Sequence, residues 1–542
     1  MKGGRSVIDR VVLLSGPISS GKSTLAEGLR RRFGMVIFKT NSVLKQRVKP
    51  HLLNDRKALQ SAGERLDRST RGAWVRDSLN ELMTNQPATS GVVVDSVRII
   101  EQIDTLRKAF GSKLVHIHLT APDKALEKRY QRRHELEDAI TFTEARENAT
   151  ERQVQTLQNS ADVVIDTKRC TADDVLTRVC CHLNLRCGRG LGYVDVLIGG
   201  QYGSEGKGQI AAYLAPEYDF LIRVGGPNAG HKVYEEPDPF THHQLPSGTR
   251  RSQARLLIGP GATLRISKLL KEIADCKVES DRLYIDEQAM VISDADIDDE
   301  EKSGVSDIGS TIQGVGAAMA RRIIGRSHKA HPQLAKDIPE LRPYVHNRIL
   351  DFLDNAYSEG NSVLLEGTQG TGLSLYHGFY PYVTSRETTV AGCLAEAGVP
   401  WNRVRRAIMV CRTYPIRVQN PPDGWSGPMS QEISWSEISK RSGISLAELQ
   451  KAETTSTTGK RRRVCEFDWQ LLRKATLING PTDIALTFAD YLSKKNRTAK
   501  RFDQLHVDTI NFIQEVELVT RAPVSLISTG FNDRPVVDRR RW

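Results

Sequence analysis

Between Gly199 and His231 the chain reads G-G-Q-Y-G-S-E-G-K-G, then a strand-like segment, then G-G-P-N-A-G-H. The first turn follows the mostly apolar run Val194–Ile198. A strand that ends in a Gly-rich turn with one lysine lets backbone N–H groups and an ammonium surround phosphate oxygens. The second turn adds an amide at Asn228, a bare backbone at Gly230 and an imidazole at His231. The spacing is not G-x-x-x-x-G-K-[ST], so this is a phosphate-binding turn of another design.

A chain of 542 residues is too long for one average domain. Its 39% apolar and 26% charged residues are ordinary for a soluble protein. No run of apolar residues is long enough for a membrane helix, and Met1–Arg10 leads straight into a short apolar run, unlike a signal peptide. The eight cysteines form no C-x-x-C pair, and Cys180, Cys181, His182 and Cys187 read as reduced structural groups. A cytoplasmic location is expected. The net charge of +12 gathers in Arg runs at 30–32, 461–463 and 539–541. No aromatic interleaving accompanies them, so phosphate-bearing small molecules are expected as partners, with no nucleic acid and no membrane.

Residues 1–187 form a first module. The run Val11–Leu14 precedes G-P-I-S-S-G-K-S at Gly16–Ser23 and an amphipathic helix through Arg32. Strand, G-x-x-x-x-G-K-S and helix are the context of a P-loop. Gly16 and Gly21 shape the turn, Lys22 reaches the β/γ oxygens, and Ser23, next to Thr24, ligates Mg²⁺. Strands recur at Val36–Phe38, Val92–Asp95, Leu114–Leu119 and Val163–Ile165, with helical patterns between them. The alternation predicts a parallel doubly wound sheet. Asp95 is either a Walker-B-like or acceptor-binding carboxylate or a helix cap. Arg129, Arg132 and Arg133 share one helix face, which after T-A-P-D resembles the lid of nucleoside monophosphate kinases. The boundary falls near Gly188–Gly192, and the second module spans 190–542.

The two turns at Gly199–His231 resemble the active site of the adenylosuccinate synthetase family, Q-W-G-D-E-G-K-G and G-G-x-N-A-G-H. The resemblance covers nearly all of the second module. It implies a C–N ligase that joins L-aspartate to C6 of a 6-oxopurine monophosphate, through a 6-phosphoryl intermediate. It implies an α/β fold of P-loop type, a mostly parallel central sheet flanked by helices, in each module. Gly203, Glu205, Gly206, Gly208 and Gln209 then surround the nucleoside triphosphate. Lys207 stabilises the transferring phosphoryl and His231 acts as an acid at the purine oxygen. Gly230 offers its carbonyl to Mg²⁺, beside position 204.

Further blocks carry further implied roles. I-G-S-T-I-Q-G-V-G puts Thr311 on the nucleotide phosphate. Arg321, Arg322 and Arg326 are three candidates for an arginine donated across a homodimer. E-G-T-Q-G-T puts Gln369 at the base, and Y-P-Y-V-T-S puts Thr384 near the monophosphate. S-T-T-G-K-R-R-R resembles the aspartate loop, with Thr458 and Arg462 on the carboxylates and Lys460 where the family has an arginine. L-T-F-A-D and I-S-T-G resemble the base pocket, with Asp490, Ser528 and Gly530 retained and Phe488 in place of lysine.

The family's catalytic and metal-binding Asp is Ser204 here. A serine of ordinary pKa is a poor base, and the chain gives no physical account of what takes the N1 proton. Loss of the Asp also opens space beside N1 and C2, where a 2-amino group fits. Ser204, Lys460 and Phe488 resemble the short phage-type branch, the 2-aminoadenylosuccinate synthetases, which use dGMP with ATP or dATP. Three readings follow: a dGMP ligase, an ordinary IMP ligase using GTP, or an inactive purine-nucleotide sensor.

Overall fold

A computed structural model describes residues 10–540 apart from 53–55, 85–90, 134–140, 148, 184–191, 235–237, 327–331, 348, 454–461 and 531–535. Thr458 and Lys460 therefore lie outside the described residues, as does Cys187. The chain divides into two compact units, residues 1–188 and 189–542.

In the first unit, five strands alternate with helices: β1 (Val11–Ser15), β2 (Val36–Lys39), β3 (Val92–Asp95), β4 (Leu114–Thr120) and β5 (Val163–Asp166). They lie in the order β2-β3-β1-β4-β5, every neighbouring pair parallel. Each strand runs one residue past its apolar stretch, since the polar terminal residues Ser15, Lys39, Thr120 and Asp166 still pair. Val12, Leu14, Val93, Ile117 and Ile165 bury one face and Val11, Leu13, Val92, Val94 and Leu114 the other, which explains runs with no alternation. Helix α1 (Lys22–Phe33) starts directly off the β1 turn.

The second unit is built on a ten-stranded sheet. From one edge the strands are Val345–His346, Leu283–Asp286, Arg255–Ile258, β7 (Phe220–Arg223), Ser362–Glu366, β6 (Tyr193–Gly199), Val404–Arg412, Asp483–Thr487, Val524–Ser528 and Val536–Asp538. All neighbours are parallel except the last pair. Apolar cores cover both faces. A parallel sheet sends the C-terminal ends of its strands to one edge, where loops assemble a site. β6, Ser362–Glu366, Asp483–Thr487 and Val524–Ser528 end there in the four blocks singled out by sequence. No helix among the described residues is long and apolar enough to cross a membrane.

Candidate active sites

In the first unit the turn after β1 is a tight loop. Gly16 has φ +139°, and a Cβ there would lie 2.2 Å from the Leu119 carbonyl oxygen on β4, so only glycine fits. Lys22 folds over the loop and donates to the carbonyls of Gly16 (2.7 Å) and Pro17 (2.9 Å). Ser23 donates to Asp95 Oδ2 at 3.0 Å. Asp95 is not a helix cap, because the next helix is capped by Ile99. A hydroxyl beside a carboxylate at the loop suits Mg²⁺. Thr24 is exposed at the start of α1. Arg129 does not share an open lid face: it turns back to the Thr167 hydroxyl (2.8 Å) and carbonyl (3.0 Å), while Arg132 is exposed. Arg133 ends the same helix.

In the second unit β6 feeds the turn Gly199–Gly208, and the helix Lys207–Leu214 starts from Gly206 in the left-handed conformation (φ +83°). Glu205 organises the turn. Its Oε1 accepts from the N–H of Gln201 (3.0 Å) and of Gly203 (2.7 Å), and its Oε2 from Lys207 Nζ (2.7 Å). Lys207 also donates to the Gly203 carbonyl at 3.1 Å. Gly208 packs beneath His231, with room for no side chain: a Cβ would lie 2.8 Å from the His231 Cβ. Gln209 accepts from the Tyr234 N–H at 3.0 Å, bracing the strand that carries His231.

His231 is buried, with Nδ1 2.5 Å from Glu366 Oε1. Its Nε2 meets no partner among the described residues. Burial, joined by Arg223, lowers its pKa to about 4, and the pull of Glu366 the other way does not overcome this. Burial alone would raise Glu366, but Arg223 and His231 hold it down at about 2. A carboxylate only accepts hydrogen bonds, so Nδ1 carries the hydrogen and Nε2 a lone pair. To donate to a purine oxygen, Nε2 must first gain a proton. Across the hairpin from His231 stands His242, buried with neither ring nitrogen partnered among the described residues.

Gln369 and Asn228 come together, Gln369 Nε2 donating to Asn228 Oδ1 at 3.1 Å. Arg386 (3.2 Å) and Thr368 (2.8 Å) donate to Gln369 Oε1 and so fix which way the amide points. Thr384 lies in a loop tied to Leu373 through its N–H (2.8 Å), and Thr311 in a turn closed by Gln313 (2.9 Å). Asp490 is buried and already ion-paired with Arg497 at 3.1 Å, a partner that sequence did not suggest. Ser528 donates to the Gly530 carbonyl at 3.0 Å, closing the turn after its strand. Non-glycine residues with positive φ stand in several of these blocks: Ile312 (47°), Gln369 (57°) and Phe488 (56°), with Ser19 (62°) in the first unit's loop. Backbone held in that region costs about 1–3 kcal/mol and collects at functional sites.

Ser204 sits at the rim of the turn, half-buried, its carbonyl accepting from Arg412 Nη1 at 3.2 Å. Arg412 is itself buried and was missed by sequence, as was Glu453. Glu453 accepts from Arg412 (2.7 Å), Arg462 (3.1 Å) and the Tyr491 hydroxyl (2.7 Å). Burial would raise its pKa, but Arg412 and Arg462 lower it instead. Arg462 is thus oriented by Glu453 through Nη1. Neither residue belongs to a recognisable string; the signal available was only a charged residue closing the apolar run Ala407–Cys411. Of the three candidate crossing arginines, Arg321 pairs with Asp296 (2.6 Å) and Arg322 donates to the Gln288 carbonyl (2.7 Å). Arg326 is exposed and, among the described residues, donates within its own turn, to Ile323 (2.7 Å).

The family model described as adenylosuccinate synthetase matches residues 196–337 and 327–497. The chain belongs to the adenylosuccinate synthetase family. Adenylosuccinate synthetases of Pyrococcus horikoshii and Methanocaldococcus jannaschii are 35% and 36% identical to it, each over 64% of this chain and over 98% and 96% of their own length. The cyanophage S-2L succinoaminodeoxyadenylate synthetase, solved with dGMP and with dATP as energy donor, is 28% identical, with TM-score 0.55, over 64% of this chain and 95% of that one. The fully ligated adenylosuccinate synthetase of Plasmodium falciparum shares the fold at 20% identity, with TM-score 0.56, over 64% of this chain and all of that one. An AAA-domain model matches residues 11–164. The protein is a C–N ligase of the adenylosuccinate synthetase type with a second, P-loop nucleotide-kinase-like domain.

Proposed function

We propose that the second unit joins L-aspartate to C6 of dGMP, giving 2-amino-2′-deoxy-N6-succinoadenylate, with ATP or dATP as phosphoryl donor. The observation that carries this reading is Ser204. It replaces the family's carboxylate in a turn that keeps Lys207 and faces a retained His231. A smaller, neutral side chain beside C2 leaves room for a 2-amino group and offers it an acceptor. Phe488 in the base pocket and Lys460 in the aspartate loop lean the same way, as does the likeness to a phage enzyme solved with dGMP and dATP.

In this reading Lys207 and the N–H groups of the Gly-rich turn hold the triphosphate, and Lys207 exchanges Glu205 for phosphoryl oxygens as charge develops. Asn228, Thr311, Gln369 and Thr384 hold the purine monophosphate, with Lys460 near the sugar. Thr458 and Arg462 hold the aspartate carboxylates. Asp490 and the Ser528–Gly530 turn take the donor's base, the carboxylate being able to accept from an adenine amino group. For Mg²⁺ the protein donors fit only in part. Ser204 and the Gly230 carbonyl are neutral, and Glu205 is already bonded three times, so phosphate oxygens supply the anionic ligands. Mg²⁺, when bound, offsets phosphate charge. The ligase works as a homodimer, with Arg326 the arginine that crosses. The first unit transfers a phosphoryl group from ATP to a nucleotide acceptor, using Lys22, Ser23 and Asp95.

A second reading, IMP with GTP, is favoured by the 35% identity to the Pyrococcus horikoshii adenylosuccinate synthetase, against 28% to the phage enzyme. One incubation tests both. Purified protein receives aspartate, Mg²⁺, ATP or GTP, and dGMP or IMP, with products read by mass. A succino-nucleotide formed faster from dGMP supports the first reading. Product from IMP alone selects the second, and no product from either points to a binding module.

A further inference from the structure

We propose that Glu366 is the positioning residue for His231: it accepts a hydrogen bond from Nδ1–H and so fixes both the tautomer and the aim of Nε2 toward the purine oxygen. The inference rests on the ligase reading above, in which His231 touches the purine.

Glu366 closes the strand Ser362–Glu366, directly beside β7. It has no freedom to swing. Its Oε2 accepts from the Ser247 N–H at 2.7 Å. Its Oε1 accepts from the Ser247 hydroxyl (2.5 Å), from His231 Nδ1 (2.5 Å) and from Arg223 Nη1 (3.4 Å). Arg223 is anchored in turn, donating to the carbonyls of Ala229 (2.8 Å) and His242 (3.3 Å). All four side chains are buried. The bond from a neutral imidazole to a charged, fully engaged carboxylate is short and directional.

The consequence falls on the opposite ring nitrogen. An imidazole held at Nδ1 presents Nε2 at one place and in one protonation pattern. Among the described residues the buried Nε2 has no partner, which leaves it open to a ligand. Without the carboxylate, the ring can flip about its χ2 bond or move its hydrogen to Nε2, and either change disorders the contact to the purine. In sequence, the E-G-T-Q-G block drew attention to Gln369; the glutamate three residues earlier carried no role.

The test is a cycle of Glu366→Gln, His231→Asn and the pair, in the full chain with saturating aspartate, Mg²⁺, ATP and whichever of dGMP or IMP wild type consumes. Glu366→Gln alone is expected to lower kcat by about 10- to 100-fold, with KM for the nucleotide within about threefold. Added to His231→Asn it should cost less than about threefold, since its effect passes through the imidazole. Costs that multiply in the double mutant overturn the proposal. Glu366→Asp, which keeps the charge, should recover part of the rate; a rate no better than Gln argues against it. A second readout needs no turnover. In ¹⁵N-histidine spectra, the resonance lost in His231→Asn should show the Nδ1–H form in wild type and a changed ratio in Glu366→Gln. The same ratio in both overturns the proposal. If wild type consumes neither nucleotide the substrate reading fails, and the spectra still decide the role of Glu366.

Discussion

The guanidinium of Arg412 lies 4.1 Å from the centroid of the Phe488 ring. The same group donates to the Ser204 carbonyl at 3.2 Å and pairs with buried Glu453 at 2.7 Å. One buried cation thus packs on the Phe488 ring and braces the turn that carries Ser204.

Removing that cation should be severe. Arg412→Ala leaves Glu453 buried with one guanidinium partner fewer. Breaking a buried ion pair from one side costs about 3–5 kcal/mol. Urea unfolding of the second unit's transition is the measurement, and a loss below about 1 kcal/mol would show that the ion pair contributes little.

Ser204→Asp separates substrate choice from simple decay. The added carboxylate crowds a 2-amino group and restores a base near N1. Relative kcat/KM for dGMP over IMP should fall by roughly tenfold to a hundredfold, one misplaced contact being worth about 1–3 kcal/mol. If the variant raises both substrates alike, Ser204 is a defect rather than a specificity device.

Lys22→Ala isolates the first unit. It deletes the cation that covers the loop after β1, so phosphoryl transfer or ATP hydrolysis there should vanish. Succino-nucleotide formation should stay within about twofold of wild type, because Lys207 serves the other turn. Equal loss of both activities in a folded variant would show that the units are coupled.

Two buried histidines predict how stability depends on pH. Burial, helped by His116 and Lys22, lowers His118 to about 4, and burial with Arg223 lowers His242 to about 3. An unfolded chain protonates both near 6.5. Between these values and 6.5 the unfolded state holds the extra proton, so stability falls as pH falls, by about 1.4 kcal/mol per pH unit for each histidine. The contribution is fully present above 6.5. His242→Leu also removes two ring nitrogens that have no partner. Its unit should be no less stable than wild type at pH 7 and should lose less stability on going to pH 5. Equal pH slopes in denaturant titrations would contradict the assignment.

Much of this arrangement was legible because backbone chemistry is local. Apolar runs followed by Gly-rich turns gave the β1 and β6 strands and both lysines, since phosphate-binding turns need glycine and lysine at fixed offsets. What escaped is long-range. Glu366 and His231 are 135 residues apart in sequence. Arg412 and Glu453 come from a strand and the end of a helix, and only folding makes them partners. Arg497 and Asp490 are only seven residues apart, but no regular helix spacing pairs them, so the contact depends on the local fold of the turn. Arg129 looked like part of a helix-face cluster because i, i+3, i+4 spacing reports a shared face and not what the face meets. Its partner, Thr167, comes from beyond β5.

The two loop lysines differ in what they leave behind when a nucleotide arrives. Lys22 gives up two main-chain carbonyls, dipoles that gain little from holding an ammonium. Lys207 gives up a buried carboxylate 2.7 Å away. The second turn therefore carries its own counter-ion, and an incoming phosphate has to outcompete Glu205 for the same charge. A fully charged triphosphate with its metal can do so; a spent phosphate, with less to offer, meets a lysine already content. If Lys207 holds the triphosphate as proposed, Glu205 is poised to reclaim that lysine once the phosphate is spent.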